Sequence, residues 1–189
     1  MRRLIMFNLM TLNGFFEGLN HDISWHKVDE DFNAYVINEM FPSLDLLLFG
    51  RVTYELMAGF WPTPEALSND PVVAGKMNSS AKIVFSRTLN RAEWNNTRLV
   101  KDNMEEEVRK LKEQTGKDIA LLGSGSIVSQ LAQRGLIDEY RIMLNPIVLG
   151  KGTALFKDIK NRFDLNLLST RMFRNGNALL CYAPAGMEK

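Results

Sequence analysis

The run Ile119-Ala120-Leu121-Leu122-Gly123-Ser124-Gly125-Ser126-Ile127-Val128-Ser129-Gln130-Leu131-Ala132 joins an apolar strand to a segment with helical apolar spacing across two glycines. Strand, glycine-rich turn and helix is the geometry of an anion site. Glycines let the backbone approach a ligand, and the first N–H groups of the helix point at it with the positive dipole end behind them. A second reading fits equally well: a tight strand-to-helix turn capped by Ser124 or Ser126. The run is not the dinucleotide fingerprint G-x-G-x-x-G, because Val128 stands where its third glycine would be.

Composition narrows what surrounds this run. With 189 residues, 46% hydrophobic and 24% charged, the chain is expected to fold as a single domain over 1–189 with a full core. A net charge of +1 gives no global field toward nucleic acid or an anionic membrane, so an anionic ligand needs a local site. One cysteine, Cys181, excludes an internal disulfide and a multi-cysteine zinc centre, and its apolar setting reads as a buried thiol. His21 and His26 show no metal-binding spacing, so no metal is expected. The N-terminal apolar run is short and interrupted by Asn8 and Asn13, which reads as a strand and not as a signal peptide; a cytoplasmic protein is expected.

Outward from the glycine pair, strands and helices alternate. Strands are expected over Arg3–Met10, Leu44–Phe49, Ala81–Phe85 and Ile137–Leu144, with Tyr140, Ile142 and Leu144 on one face of the last. Helices are expected over Val28–Met40, from Gly50 to about Gly59, and over Met104–Gln114 with Val108 and Leu111 inward. Thr11–Lys27 and Phe60–Asp70 read as loops, and Arg91–Asp102 as a connection anchored by Trp94. Phe163–Phe173 and Ala178–Ala183, joined across Asn175-Gly176, read as a hairpin. The fold class is α/β: a mostly parallel central sheet with helices on both faces and an antiparallel C-terminal hairpin.

Ligands of such sheets bind beyond the carboxyl ends of the strands. Three of those ends suit an anion: Gly50-Arg51-Val52-Thr53, Ser86-Arg87-Thr88 and Gly123-Ser124-Gly125-Ser126. Each alone is equally a helix cap or a polar strand end. Together they suit a dinucleotide laid across the sheet, its pyrophosphate between two helix N-termini and a further phosphate between Arg51 and Arg87.

These residues also carry a family resemblance. Thr11-Leu12-Asn13-Gly14-Phe15, Leu48-Phe49-Gly50-Arg51-Val52-Thr53-Tyr54-Glu55, the Gly123–Ser126 turn, and Leu136–Arg141 with Pro146, Leu149-Gly150-Lys151-Gly152 and Phe156 occur in the order of a known set. The chain resembles the dihydrofolate-reductase-like fold, most closely the branch related to the reductase domain of bacterial riboflavin biosynthesis. The resemblance implies NADPH held by Gly50, Arg51, Thr53, Gly123, Gly125 and Ser126, with Ser86 and Arg87 near the 2′-phosphate. It implies a reductase of a pterin-like or ribosylaminopyrimidine-like substrate, with Asp31 as the acid nearest to the substrate carboxylate of the fold. Asp31 equally reads, with Asp29 and Glu30, as decoration of a helix N-terminus. Asn13, Gly14 and Phe15 with Trp25 are expected at the substrate or in a lid closing over the nicotinamide. Asn13 replaces the aspartate usual in the family, and Thr11 its serine. Asp138-Glu139 reads as structural. The apolar strands after Ile137 and the resemblance point to a homodimer. A non-catalytic nucleotide-binding protein on the same fold is the alternative.

Overall fold

The computed structural model describes residues 1–186. β1 (Leu4–Thr11) is buried along nearly its whole length, as its largely apolar character, broken by Asn8, requires. The loop after it contains β2 (Phe15–Glu17) and a 3-10 turn at Leu19–His21. α1 (Glu30–Tyr35) starts later than expected, because Asp29 accepts the Phe32 N–H at 2.9 Å and caps the helix from outside. The chain then widens into a π-type turn over Val36–Met40 before Pro42. β3 (Leu44–Gly50) feeds directly into α2 (Arg51–Phe60).

The loop expected over Phe60–Asp70 is a correction: α3 (Pro64–Asn69) lies within it, and α4 (Pro71–Ser79) follows at once. Each begins on a proline, whose missing N–H costs nothing in the first turn. Thr63 caps one by accepting the Ala66 N–H at 3.2 Å, and Asp70 caps the other through the Val73 N–H at 3.2 Å. Thr-Pro and Asp-Pro here start helices; read as breakers, they hide them. β4 (Ala81–Phe85) is as expected, but the connection over Arg91–Asp102 contains β5 (Thr97–Val100), a half-exposed strand whose Thr97 and Arg98 mask its pattern. α5 (Met104–Glu113), β6 (Asp118–Leu122), α6 (Gly125–Gln133), β7 (Glu139–Asn145), β8 (Thr153–Ala154), β9 (Leu165–Met172) and β10 (Ala178–Pro184) follow among the described residues.

Eight strands form one sheet in the order β5-β4-β3-β6-β1-β7-β10-β9. All pairs from β5 to β7 are parallel, and β10 runs antiparallel to both β7 and β9. β2 and β8 make a separate ribbon. Ile5 and Phe7 face one core with Tyr35 of α1, Tyr54 of α2 and Met77 of α4. Leu4 and Met6 face the other, with Leu111 of α5 and Val128 of α6. Helices therefore cover both faces, and the α/β class with its antiparallel hairpin holds.

The amino ends of the strands are closed by charge. Lys112 Nζ lies 2.6 Å from Asp138 Oδ2, Arg3 bridges Asp118 and Glu139, and Arg2 pairs with Asp45. Asp138 and Glu139 are thus structural. Removing one partner of a pair as buried as Lys112–Asp138 would leave an uncompensated charge, at a cost of about 3–5 kcal/mol. The carboxyl ends remain for a ligand.

Candidate functional site

β3 and β6 are adjacent and parallel, with Leu48 opposite Leu121, so Gly50-Arg51 and Gly123-Ser124-Gly125 leave the sheet side by side. A Cβ on Gly50 would lie 2.5 Å from Ser124 Cβ and 2.9 Å from Ile127 Cγ1. One on Gly123 would lie 2.7 Å from Thr53 Oγ1, and the φ of +68° there is costly for any residue with a side chain. Glycine at both positions is what lets the two helices start in contact. Thr53 Oγ1 locks the junction by accepting the Ser124 N–H at 2.9 Å.

No side chain caps α2 or α6. The serine-capped turn therefore does not describe the Gly-Ser-Gly run. Ser124 sits at φ 59°, ψ 94° and accepts the Ile127 and Val128 N–H groups through its backbone, both at 3.0 Å. Ser126 is exposed in the first turn. Two uncapped N-termini with adjoining positive dipole ends make an anion-favouring surface.

From the start of α2 an open groove of about 1210 Å³ runs to the segment after β4. Arg51, Glu55, Thr88, Arg91 and Glu93 line it, over a floor of Tyr54, Asn78 and Trp94. That floor is rigid: Tyr54 Oη accepts the Trp94 N–H at 3.0 Å, and Asn78 Oδ1 accepts the Trp94 indole N–H at 2.7 Å. Lys82 lies 4.5 Å from the Trp94 ring centre and donates to the Met77 and Ser80 carbonyls at 2.8 and 2.7 Å. Burial lowers its pKa to about 8. Both arginines of the groove carry a carboxylate neighbour, Arg51 with Glu55 at 2.9 Å and Arg91 with Glu93, so a bound phosphate has to exchange for it.

Of Ser86-Arg87-Thr88, only Thr88 enters the groove. Ser86 Oγ closes its own turn by accepting the Thr88 and Leu89 N–H groups at 3.2 and 2.9 Å. Arg87 is 82% exposed and turns to Asp102 at 3.5 Å. Arg91 and Asn78, not among the expected site residues, are brought in by the tertiary fold; nothing in their local sequence marks them.

The other candidates lie at the carboxyl ends of β1 and β7. Gly14, at φ +87°, turns the chain out of β1, with its N–H on the Thr11 carbonyl at 3.0 Å. Asn13 Nδ2 donates to the Leu149 carbonyl at 2.7 Å. Phe15 pairs with Ala154 in the β2–β8 ribbon. Its neighbour Phe16 covers the start of α6, where a methyl on Gly125 would lie 3.1 Å from the ring. Trp25 is buried, with its indole N–H on the Asp22 carbonyl at 3.1 Å and its ring edge-on to His26, centroids 4.4 Å apart. Burial pushes the His26 imidazole down to about 4, and its Nε2 is buried without a partner.

Asp31 Oδ2 accepts from the Arg174 backbone N–H at 3.3 Å and from its Nε at 3.4 Å. The Arg174 N–H, and then its guanidinium, hold the carboxyl below the usual carboxylate range. Asp31 is therefore an ionised side chain, suited to charge-assisted bonds and unsuited to releasing a proton. Among the described residues, no group of His, Cys, Asp and Glu could hold a metal ion, and no helix is long and apolar enough to cross a membrane.

Three comparisons bear on this arrangement. A model of the RibD C-terminal domain matches residues 2–179. The uncharacterized protein YyaP of Bacillus subtilis (strain 168) is 36% identical over 181 residues, which is 96% of this chain and 94% of that protein. Among solved structures, a putative riboflavin biosynthesis protein from Shewanella sp. PV-4 matches with a TM-score of 0.72 at 22% identity, over 96% of this chain and 98% of that one. A dihydrofolate reductase from Enterococcus faecalis, complexed with NADP(H), matches with a TM-score of 0.63 at 15% identity, over 97% of this chain and 96% of that one. At these identities the two structures show the fold alone.

Proposed function

The chain belongs to the RibD C-terminal domain family, and on that premise we propose that it is an NADPH-dependent reductase of a small heterocyclic, pterin-like or ribosylaminopyrimidine-like substrate. The observation that carries the reading is the apposition of two uncapped helix N-termini, of which the first, that of α2, borders an arginine-lined groove. That donor set fits an anionic dinucleotide: N–H groups for a pyrophosphate, guanidiniums for a further phosphate. The NADP(H) held by the Enterococcus faecalis reductase on the same fold is consistent with it.

NADPH, when bound, supplies the hydride; the protein binds, orients and excludes water. Gly50, Gly123, Gly125 and Ser126 present backbone to the pyrophosphate, while Thr53 holds their two turns together. Arg51, with Thr88 and Arg91 in the same groove, takes the 2′-phosphate; Ser86 and Arg87 lie outside the groove, where Ser86 shapes the turn that carries Thr88. At the substrate end, Asp31 offers an ionised carboxylate to an amidine-like edge once Arg174 yields it. Asn13, Gly14, Phe15 and the buried Trp25 shape the loop above. The protein acts as one cytoplasmic domain on a small molecule, without nucleic acid or membrane. Its homodimer forms through β9, a sheet-edge strand with Leu167, Leu168 and Met172 exposed.

A second reading, a nucleotide-binding protein without turnover, is favoured by the engagement of Asp31 with Arg174. Titration with NADPH and NADH, followed by NADPH consumption against a panel of pterins and aminopyrimidines, separates the two. Saturable NADPH binding with oxidation by one class of acceptor is the expected result. Binding with no oxidation supports the second reading, and the absence of binding refutes both.

A further inference from the structure

The turn after β1 contains a closed network of hydrogen bonds. Phe15 N–H donates to Thr11 Oγ1 at 2.9 Å, and the Thr11 hydroxyl donates to Asn13 Oδ1 at 2.9 Å. Across the gap to the β7–β8 segment, Asn13 Nδ2 donates to the Leu149 carbonyl at 2.7 Å, and Asn13 Oδ1 accepts the Leu149 N–H at 3.2 Å. A backbone N–H only donates and a carbonyl only accepts, so Leu149 dictates which end of the amide is which. A carboxamide satisfies both contacts; an ionised carboxylate cannot. A carboxylate would set a negative oxygen against the Leu149 carbonyl.

What this network holds in place matters for the site. Leu12 N–H adds a bond to the Ile147 carbonyl at 2.8 Å. Beyond the clamp, β2 pairs with β8, and a methyl on Gly152 would come within 3.0 Å of Phe15 Cγ. The same ribbon ends on α6: a methyl on Gly125 would lie 3.1 Å from Phe16 Cε1 and 3.2 Å from the Leu155 carbonyl oxygen. Thr11 is fully buried beneath the turn. The chain of contact is continuous, from the Asn13 amide through Leu149 and the ribbon to the N-terminus of α6.

We propose that Thr11 and Asn13 form a latch fastening the first loop to the β7–β8 segment, so that Asn13 is a positioning residue for the lid over α6 and not a ligand of the substrate. The latch stands on geometry alone; its effect on a nucleotide rests on the function proposed above. Breaking it loosens Phe16 from Gly125 and lets a phosphate-bearing ligand leave faster.

The test uses the full chain and reads amide hydrogen exchange first. Asn13→Asp at about pH 8 loses the donor and gains repulsion, so exchange over residues 12–17 and 147–154 should rise by about tenfold or more. Asn13→Ala and Thr11→Val should do the same, and Thr11→Ser, which keeps the hydroxyl, should stay near the wild type. As the pH falls toward about 5, the new carboxyl, raised by the facing carbonyl, takes up a proton. It then donates to Leu149 as the amide did, and exchange relative to wild type should recover. That recovery ties the loosening to the Asn13–Leu149 bonds, and the rate of NADPH release separates a positioning role from a merely structural one. NADPH dissociation followed by stopped-flow fluorescence should quicken in the same variants, with the same recovery for Asn13→Asp.

Wild-type exchange in Asn13→Asp at about pH 8 would overturn the latch, as would a rise spread over the whole protein. Local loosening with unchanged NADPH release would overturn the positioning role. If the wild type binds no NADPH, the cofactor assignment falls, and exchange alone decides the latch.

Discussion

Replacing Arg51 with alanine should separate NADPH from NADH. The guanidinium is 44% exposed and 2.9 Å from Glu55 one helical turn on. An exposed pair of this kind contributes about 0.3–0.5 kcal/mol, so Arg51→Ala should lower Tm by no more than about 2 °C. A charge-assisted bond to a phosphate is worth on the order of 1.5–3 kcal/mol. Here the exposed setting and the competing Glu55 place the loss near the lower end, and NADPH should bind roughly ten- to thirtyfold more weakly. NADH, which has no 2′-phosphate, should change by less than about twofold. Glu55→Gln frees the guanidinium and should tighten NADPH by about twofold. In the double variant that gain should shrink, since no guanidinium remains to be released. Calorimetric titration of both cofactors at one fixed ionic strength, repeated at higher salt, measures all of this. Equal weakening of NADPH and NADH would mean that Arg51 supports the pyrophosphate or α2 itself. No weakening of either would remove the 2′-phosphate from this groove.

Gly123→Ala combines a left-handed φ of +68° with a Cβ 2.7 Å from Thr53. It should cost about 2–4 kcal/mol and lower Tm by roughly 5–15 °C, and a thermal melt within about 2 °C of wild type would refute the packing account. His26 ties stability to pH, since its folded pKa is about 4 against 6.5 ordinarily. Between those values the unfolded chain binds the extra proton, so stability present above about pH 6.5 should fall by on the order of 2–3 kcal/mol as pH drops toward about 4. Urea melts of His26→Phe should lose that part of the slope; an unchanged slope assigns it elsewhere. For assembly, Leu168→Arg on the exposed edge strand should shift a dimer toward monomer in light scattering, and an unaltered mass would move the interface away from β9.

How much of this was legible in the chain varies with the range of the forces involved. β1, β3 and β4 announce themselves because strands buried on both faces must be largely apolar, and Val108 and Leu111 mark the inner face of α5 by their spacing. Gly123 pointed to a special turn because few other residues take its backbone, while Gly125 allows close packing against Phe16. α3, α4 and β5 escaped, as their signals are weak: two prolines that start helices, and a short strand half open to water.

The sequence by itself therefore determined the α/β alternation, the antiparallel ending and the family, all of which follow from local periodicity and ordered short motifs. Tertiary structure alone decided the site. Gly50 and Ser124 are distant in sequence and meet because β3 and β6 pair as neighbours, and no periodicity encodes strand order. Arg91 enters the groove while Arg87 turns out of it to Asp102, a choice made by the path of one exposed turn. Asn13 reads in the sequence as a departure from aspartate. Its use for both a donor and an acceptor becomes visible only where Leu149, beyond the end of the neighbouring strand β7, presents its N–H and C=O to one amide. Side-chain chemistry is written residue by residue, but the partner that gives it meaning is supplied by long-range packing.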